Sequence, residues 1–396
     1  MDKKTFCALF SEVEKSIVED RRSIHSFAET GFSLPRTVKY VRARLEGLGL
    51  ETEEIGGGVV AVLGNKKGRT ILLRADMDAL NITEKTGLPF AAKNGNMHAC
   101  GHDMHTAMLL GAADVLSKMP DKINGRIAFV FQPAEETLEG AKRMIDEGML
   151  DFIRPDAALM IHTLVGVPLL RDSAVVASAG VSAPSADFFR ITIKGKSSHG
   201  STPHLSIDAL SCGVKIVTML EGIITREIPL SADAVISIGA FNSGSAANVI
   251  AGSGKIEGTF RTMDENSREK IRCSILNIVE SISKLYGAHG EVSFYSGCPT
   301  LLNNAELSAC AYTYVNELIG KNCVYSKDLG WRGGGSEDFS YVSHKIPSIM
   351  IGLMAGSTND GFTCPAHNHE VVFDERALKL GAQIYGWCAY RYLSDN

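Results

Sequence analysis

The sequence predicts an α/β protein in which a domain built on a parallel or mixed sheet is interrupted by a smaller α+β domain of ferredoxin-like pattern. Three observations carry that expectation. Over residues 59–162, short apolar runs alternate with stretches of helical periodicity, as in helices laid on a largely parallel or mixed sheet. Near residue 184 the order becomes strand–helix–strand–strand–helix–strand, a split βαβ arrangement. Beyond residue 300 mixed patterns resume, so the C-terminal part can complete the first domain. The expected division is 1–183 with 297–396 for the larger domain and 184–296 for the insertion.

Residues 3–48 read as helices with a break near Gly31 and Pro35, residue types that punctuate helices. VVAVLG (59–64) and TILLRADMDAL (70–80) read as strands, the second running into acidic residues. HTAMLLGAADVLSKM (105–119) places small and apolar side chains on one helical face. RIAFVFQ (126–132) is nearly continuously apolar, as a buried central strand requires. A helix over 139–147 and a short buried strand, AALMIH (157–162), follow. In the insertion, DFFRITIKG (187–195), AVISIGAFN (234–242), GKIEGTFRTM (254–263) and EVSFYS (291–296) read as strands. The stretches 208–227 and 265–287 read as its two helices.

A chain of 396 residues suggests two or three domains. Its 45% hydrophobic and 21% charged content is that of a globular protein. A net charge of −5 gives no electrostatic reason to expect nucleic acid or an anionic membrane as partner. The nine cysteines are scattered, odd in number and free of CxxC spacing, so they read as buried thiols in a reducing compartment. Acidic residues interrupt the N-terminal stretch where a secretory signal needs an apolar run. No apolar run approaches the roughly 20 residues that span a bilayer. A cytoplasmic location is the default expectation.

The segment His98-Ala99-Cys100-Gly101-His102-Asp103-Met104-His105 packs a thiol, three imidazoles and a carboxylate into one loop and helix start. Cys100 and His102 are two apart, so in an extended loop both side chains leave on the same side. Thiolate with imidazole suits zinc or a similar ion. A polar helix cap beside a buried thiol is the ordinary alternative. Glu135-Glu136 follows the apolar run 126–132 and Pro133, at the strand end where open α/β sheets bind ligands. Adjacent carboxylates there repel unless a cation or proton intervenes. One can bind metal while its neighbour accepts a proton from water; alone, such a pair is commonly a solvated helix start. His162 ends an apolar strand, and His367-Asn368-His369-Glu370 is a C-terminal loop cluster. Singly, either is as well a core histidine or a surface loop. Jointly these residues could hold two divalent ions, which turn water into a nucleophile near neutral pH.

Beyond these residues, RRSIHSFAETGF (21–32), LLRADMDAL (72–80), MHACGHDMHTAMLLGAA (97–113), FQPAEE (131–136), GKSSHGSTPH (195–204), ANVIAG (247–252), GGSEDFS (334–340) and the HN…VFDE segment (367–375) occur in order. On these segments the chain resembles the aminoacylase and glutamate-carboxypeptidase-like metallohydrolases. The similar branch contains N-acyl-amino-acid amidohydrolases, hippurate hydrolases and indole-acetyl-amino-acid hydrolases. The resemblance implies a zinc-exopeptidase-like three-layer catalytic domain with an inserted lid and dimerisation domain. It implies two divalent ions per subunit, zinc or manganese, with cobalt and nickel as further candidates. Cys100, His102, Glu136, His162 and His367 match the family's metal ligands, and Glu135 its general base. His199 matches a histidine that reaches the partner subunit's site and holds the oxyanion. Asn248 matches a substrate-lining residue, and Asp78 and Asp103 match residues that orient ligands. The implied substrate is a small N-acyl amino acid, and the implied assembly a homodimer or higher homo-oligomer.

Three positions depart from the family. The final histidine motif is followed by His369-Glu370, leaving His369 as a rival to His367. The segment Asn248-Val249-Ile250-Ala251 ends in alanine where proline is usual. No arginine stands near Ser296-Gly297-Cys298-Pro299, where carboxypeptidase relatives bind an acidic substrate; Arg261 is the nearest alternative charge. A dipeptidase or exopeptidase with the same metals is the competing activity, and a binding protein that has lost catalysis is opposed by Glu135. A dinucleotide-dependent oxidoreductase is disfavoured because GGGVVAVLG (56–64) places its glycines before the strand rather than after it.

Overall fold

A computed structural model describes residues 1–64, 68–330 and 335–395; Gly334 of GGSEDFS lies outside them. The helices are α1 (Lys3–Phe27), α2 (Pro35–Gly47), α3 (His102–Ser117), α4 (Gly140–Asp146), α5 (Met149–Ile153), α6 (Ala209–Arg226), α7 (Glu265–Tyr286), α8 (Ala305–Ile319), α9 (Ser340–Ser343) and α10 (Ala377–Asp395). The strands are β1 (Thr52–Ile55), β2 (Gly58–Gly64), β3 (Thr70–Asp76), β4 (Arg126–Gln132), β5 (Ala157–Leu164), β6 (Ala174–Val176), β7 (Gly180–Ala183), β8 (Ala186–Lys194), β9 (Ser198–His199), β10 (Ala234–Ser243), β11 (Val249–Ile250), β12 (Ser253–Thr262), β13 (His289–Cys298), β14 (Leu301–Asn303), β15 (Cys323–Tyr325) and β16 (Ser348–Met354). They form two compact units: Met1–Ser182 with most of the chain beyond residue 301, and Ala183–Leu301 with a short piece that includes Glu337.

The first unit is a mixed α/β fold on an eight-stranded sheet of order β1-β2-β4-β3-β5-β16-β6-β15. Its centre is parallel, with β4, β3, β5 and β16 aligned; β2 and β6 run antiparallel to their neighbours β4 and β16. β3 is buried along its whole length and β5 along nearly all of it, because both faces of the sheet are covered there. α1, α3 and α10 pack on one another and over the sheet, while α4 and α9 form a second helical group against β4 and β16. α1 places Phe6, Phe10, Val13, Ile17 and Ile24 at helical spacing into that core. Its first turn is capped by Asp2, whose carboxylate accepts from the Thr5 amide at 3.0 Å.

Two sequence boundaries shift. The strand expected over 70–80 ends at Asp76. Beyond it the Met77 amide bonds the Gln132 carbonyl and the Ala79 amide bonds the Glu29 carbonyl, so the chain leaves the sheet just before Asp78. The helix expected from 105 begins at His102, so His102 and His105 lie one turn apart on one face. At the centre of the sheet, buried Arg74 donates to Asp76 at 2.6 Å, Asp338 at 3.0 Å and Gln132 at 2.9 Å. A buried guanidinium is tolerated only when neutralised and fully bonded in this way.

The second unit is ferredoxin-like: an antiparallel sheet of order β10-β12-β8-β13 with α6 and α7 packed over it. Phe189, Ile191, Ile193, Ile256 and Phe260 from the strands meet Ile216, Leu220, Ile271 and Ile275 from the helices. Asp208 and Asp264 cap the two helices. Among the described residues, no helix is long and apolar enough to cross a membrane.

Candidate metal centre

Gly101 initiates the arrangement. It precedes α3 with φ +88°, and a Cβ there would stand 2.5 Å from the Thr163 hydroxyl. Glycine is thus required by both conformation and space. The turn delivers Cys100 and His102 to the ends of β3 and β5. His102 donates from Nδ1 to the Asp78 carbonyl at 2.8 Å, and His162 from Nδ1 to the Thr163 carbonyl at 2.8 Å. Each ring is thereby oriented with Nε2 turned toward the cluster, the nitrogen a metal would take.

The second contribution is the turn after β4. Asp78 accepts from the Glu135 amide at 3.0 Å and from the Glu136 amide at 3.2 Å. Ala134 adopts a positive φ of 55° to make the bend. Gly140 passes so close that a Cβ would overlap the Pro133 carbonyl oxygen at 1.6 Å. The third contribution is the loop before α10, where His367 has φ +65° and its amide bonds the Ala99 carbonyl at 2.8 Å. A non-glycine residue held there stores about 1–3 kcal/mol of strain, a cost found mainly at functional sites.

These loops bring Cys100, His102, Glu136, His162 and His367 together. Cys100 Sγ lies 3.7 Å from His162 Nε2 and 3.3 Å from His367 Nε2. Glu136 Oε1 lies 3.9 Å from His102 Nε2 and 3.6 Å from His367 Nε2. Ligands bonded at about 2.0–2.3 Å in a tetrahedral sphere stand about 3.3–3.8 Å apart, and the Cys100–His162, Cys100–His367 and Glu136–His367 spacings fall in that range. Two triads, Cys100–His102–His162 and Cys100–Glu136–His367, share the thiol. His102 Nε2 and Glu136 Oε1 are buried with no hydrogen-bond partner among the described residues. Such orphans are costly in a protein interior, and a divalent cation would satisfy both.

Burial pushes the Cys100 thiol up to about 12 and the Glu136 carboxyl up to about 7. It pushes the His162 imidazole down to about 4. Burial also disfavours a charged His102, yet the Asp76 carboxylate, 3.8 Å away, holds its pKa well above the ordinary value. Glu135 is buried beside the cluster, with Oε2 4.0 Å from His102 Nε2. His369 belongs to none of the ligand groups among the described residues; its carbonyl accepts from the Lys85 amide. Asp103 bonds Arg21 at 2.7 Å and His25 at 2.8 Å.

His199 and Asn248 lie in the second unit. There β9 pairs with β11, and the Gly200 amide donates to the Asn248 carbonyl at 2.7 Å. The Ser201 amide donates to His199 Nδ1 at 3.2 Å, so the ring proton sits on Nε2. Arg261 is a strand residue whose guanidinium contacts Thr259 at 3.4 Å.

Sequence reasoning missed two residues behind the cluster. His105 donates from Nδ1 to Asp76 at 2.5 Å, while its Nε2 accepts from the Thr163 amide at 2.9 Å. Burial pushes His105 down to about 4. With both nitrogens bonded, this ring braces β3 against β5 beside His162. The His102–His105 spacing of one helical turn was the available signal.

Known proteins resemble this chain over most of its length. The chain is 37% identical over 390 residues to "Thermostable carboxypeptidase 1" of Saccharolobus solfataricus, covering 96% of each chain. It is 37% identical over 312 residues to an N-acyl-L-amino acid amidohydrolase of Geobacillus stearothermophilus, covering 77% of this chain and 83% of the other. A Bacillus subtilis crystal structure described as a dinuclear metal binding peptidase superposes with a TM-score of 0.79 at 29% identity, covering 97% of this chain and 99% of that one. Residues 72–390 match the model of peptidase family M20/M25/M40, and the chain belongs to that family.

Proposed function

We propose that this protein is a metal-dependent amidohydrolase that cleaves small N-acyl amino acids to a carboxylic acid and a free amino acid. The observation that carries the reading is the shared-thiol pair of ligand triads, with His102 Nε2 and Glu136 Oε1 left unpartnered in a buried site. Cys100, His102, Glu136, His162 and His367 would hold two divalent ions, zinc or manganese, with cobalt and nickel as the other candidates. Bound there, the ions supply Lewis acidity and lower the pKa of water.

The protein's own groups do the rest. Glu135 takes the proton of the attacking water and returns it to the leaving amine. Asp78, by accepting from the Glu135 and Glu136 amides, fixes the turn that carries both base and ligand. His199 donates its Nε2 proton to the developing oxyanion, and Asn248 lines the substrate site. Residues 184–296 act as lid and dimerisation domain, so His199 serves a partner's centre. Support for self-pairing is the edge strand β10, Ala234–Ser243, which carries no charged side chain. It runs beside α6 with its exposed Leu210, Val214 and Met219. Edges left uncharged invite pairing with another chain. A cytoplasmic location accords with nine cysteines that all remain free thiols.

A panel of N-acetyl, benzoyl, indole-acetyl and aminobenzoyl amino acids, run against dipeptides with metal analysis, tests the activity. N-acyl amino acids are expected to give the higher kcat/KM. Preference for dipeptides would favour the peptidase alternative, which the carboxypeptidase name of one relative supports. Subunit sharing is tested by mixing inactive His199→Ala and Glu135→Ala proteins. Random exchange should restore about a quarter of wild-type activity, because each mixed dimer holds one intact site. No recovery under proven exchange would mean that each subunit is self-contained.

A further inference from the structure

The HACGH loop is held from behind by a buried charge cluster that takes no part in the chemistry above. His25, in the last turn of α1, is 1% exposed. Its Nδ1 lies 2.8 Å from Asp103 Oδ2, and its Nε2 lies 3.1 Å from both oxygens of Glu84. Both carboxylates are already engaged as acceptors. Asp103 receives Arg21 Nε at 2.7 Å. Glu84 receives the Ala92 amide at 2.7 Å and the Thr86 hydroxyl. An imidazole whose two nitrogens both face such acceptors must donate from both, which only the imidazolium can do. Phe90 closes the cluster, its ring edge-on to His25 at 5.3 Å and 4.9 Å from the Arg21 guanidinium.

Glu84 and Asp103 are the two ends of the segment that carries Cys100 and His102. Between them Asn94 and Asn96 donate to the Ala28 carbonyl at 2.8 and 3.0 Å, pinning the same segment to the end of α1. Arg21 and Arg22 reach on to Glu375, at 3.0 and 2.6 Å, in the segment after His367. We infer that His25 is a positioning residue, a buried imidazolium that clamps both ends of the Glu84–Asp103 segment and so presets the placement of Cys100 and His102. The clamp is read from contacts alone; its consequence for metal binding rests on the centre proposed above.

The clamp has a pH signature. The charged groups around His25 are Arg21 and Arg22 on α1, Asp103 on α3, Glu84 in the loop and Glu375 before α10; His98, its ring 6.0 Å away, is neutral because burial pushes it down to about 3. Burial opposes a charged His25, but the Asp103 and Glu84 carboxylates override it and raise the ring to about 9. A raised folded pKa means the clamp is fully present below the ordinary histidine value and lost as pH rises through about 9.

The test is hydrogen–deuterium exchange of segment 84–98 in the metal-free full-length protein, corrected for intrinsic exchange, from about pH 6 to pH 10. It is paired with Zn²⁺ affinity by chelator competition. The wild-type segment should stay protected at neutral pH and loosen through about pH 9. His25→Gln should exchange about tenfold faster at neutral pH with no alkaline transition, and should bind Zn²⁺ about 10–100-fold more weakly. Glu84→Gln keeps the shape and removes one charge, so its transition should move to lower pH. Wild-type protection and Zn²⁺ affinity in His25→Gln would overturn the inference. If His25→Gln does not fold, an unmoved transition in Glu84→Gln overturns it. The predicted exchange behaviour in a wild-type protein that binds no Zn²⁺ would uphold the clamp and reject the metal centre.

Discussion

Replacing Glu135 with alanine is expected to lower turnover by about 10²–10⁴-fold, the usual worth of a positioned general base, while the metal content stays at the wild-type level. The expectation follows from the division of labour in the turn after β4. Glu136 faces His102 and His367 at 3.9 and 3.6 Å, whereas Glu135 stands 4.0 Å from His102 and belongs to neither thiol-sharing triad. Removing a ligand would cost metal; removing the base should cost rate alone. Asp78 binds backbone amides of the turn, so the alanine side chain leaves the Glu136 geometry in place. Steady-state kinetics with elemental analysis on the same preparation separates the two effects. A variant with wild-type turnover would remove Glu135 from the mechanism, and one stripped of metal would make it a ligand.

The second large effect concerns pH. In the metal-free protein Cys100 is a thiol, because burial pushes it up to about 12, and His102 is held protonated beside Asp76. Both must lose a proton to bind an ion. Apparent Zn²⁺ affinity should therefore rise with pH, by roughly 100-fold per unit near neutrality for two released protons. Below about pH 7, where Glu136 also carries a proton, the dependence should steepen further. His162 adds nothing in this range, since burial already keeps it neutral down to about pH 4. Competition titrations against a chelator of known protonation, repeated across pH, measure the slope. Cys100→Ser should bind more weakly and lose one proton from it. A pH-independent affinity would contradict the thiolate–imidazole assignment.

Much of this was legible along the chain because both the helical and strand periodicities and the ligand chemistry are local. The apolar run 126–132 is a buried central strand, and the strand–helix order after residue 184 folds as the ferredoxin-like unit. The short strands β6 and β15 carried no pattern of their own. Their places are set by pairing with each other and with β16. The boundary at Asp76 was misplaced for a related reason. Nothing in RADMDAL announces that the Met77 and Ala79 amides will bond Gln132 and Glu29.

The candidate centre divides the same way. Sequence by itself determined the inventory: a thiol and an imidazole two residues apart, a paired carboxylate at a strand end and histidines in later segments, since side-chain chemistry travels with residue identity. Only the tertiary structure decided that His367 rather than His369 meets Cys100, and which nitrogen of each ring faces inward. It alone disclosed that Asp76, His105 and His25 stand behind the ligands. Those outcomes depend on backbone carbonyls and carboxylates from residues far away in the chain, and the energy of such contacts exists only after burial has removed the competing water.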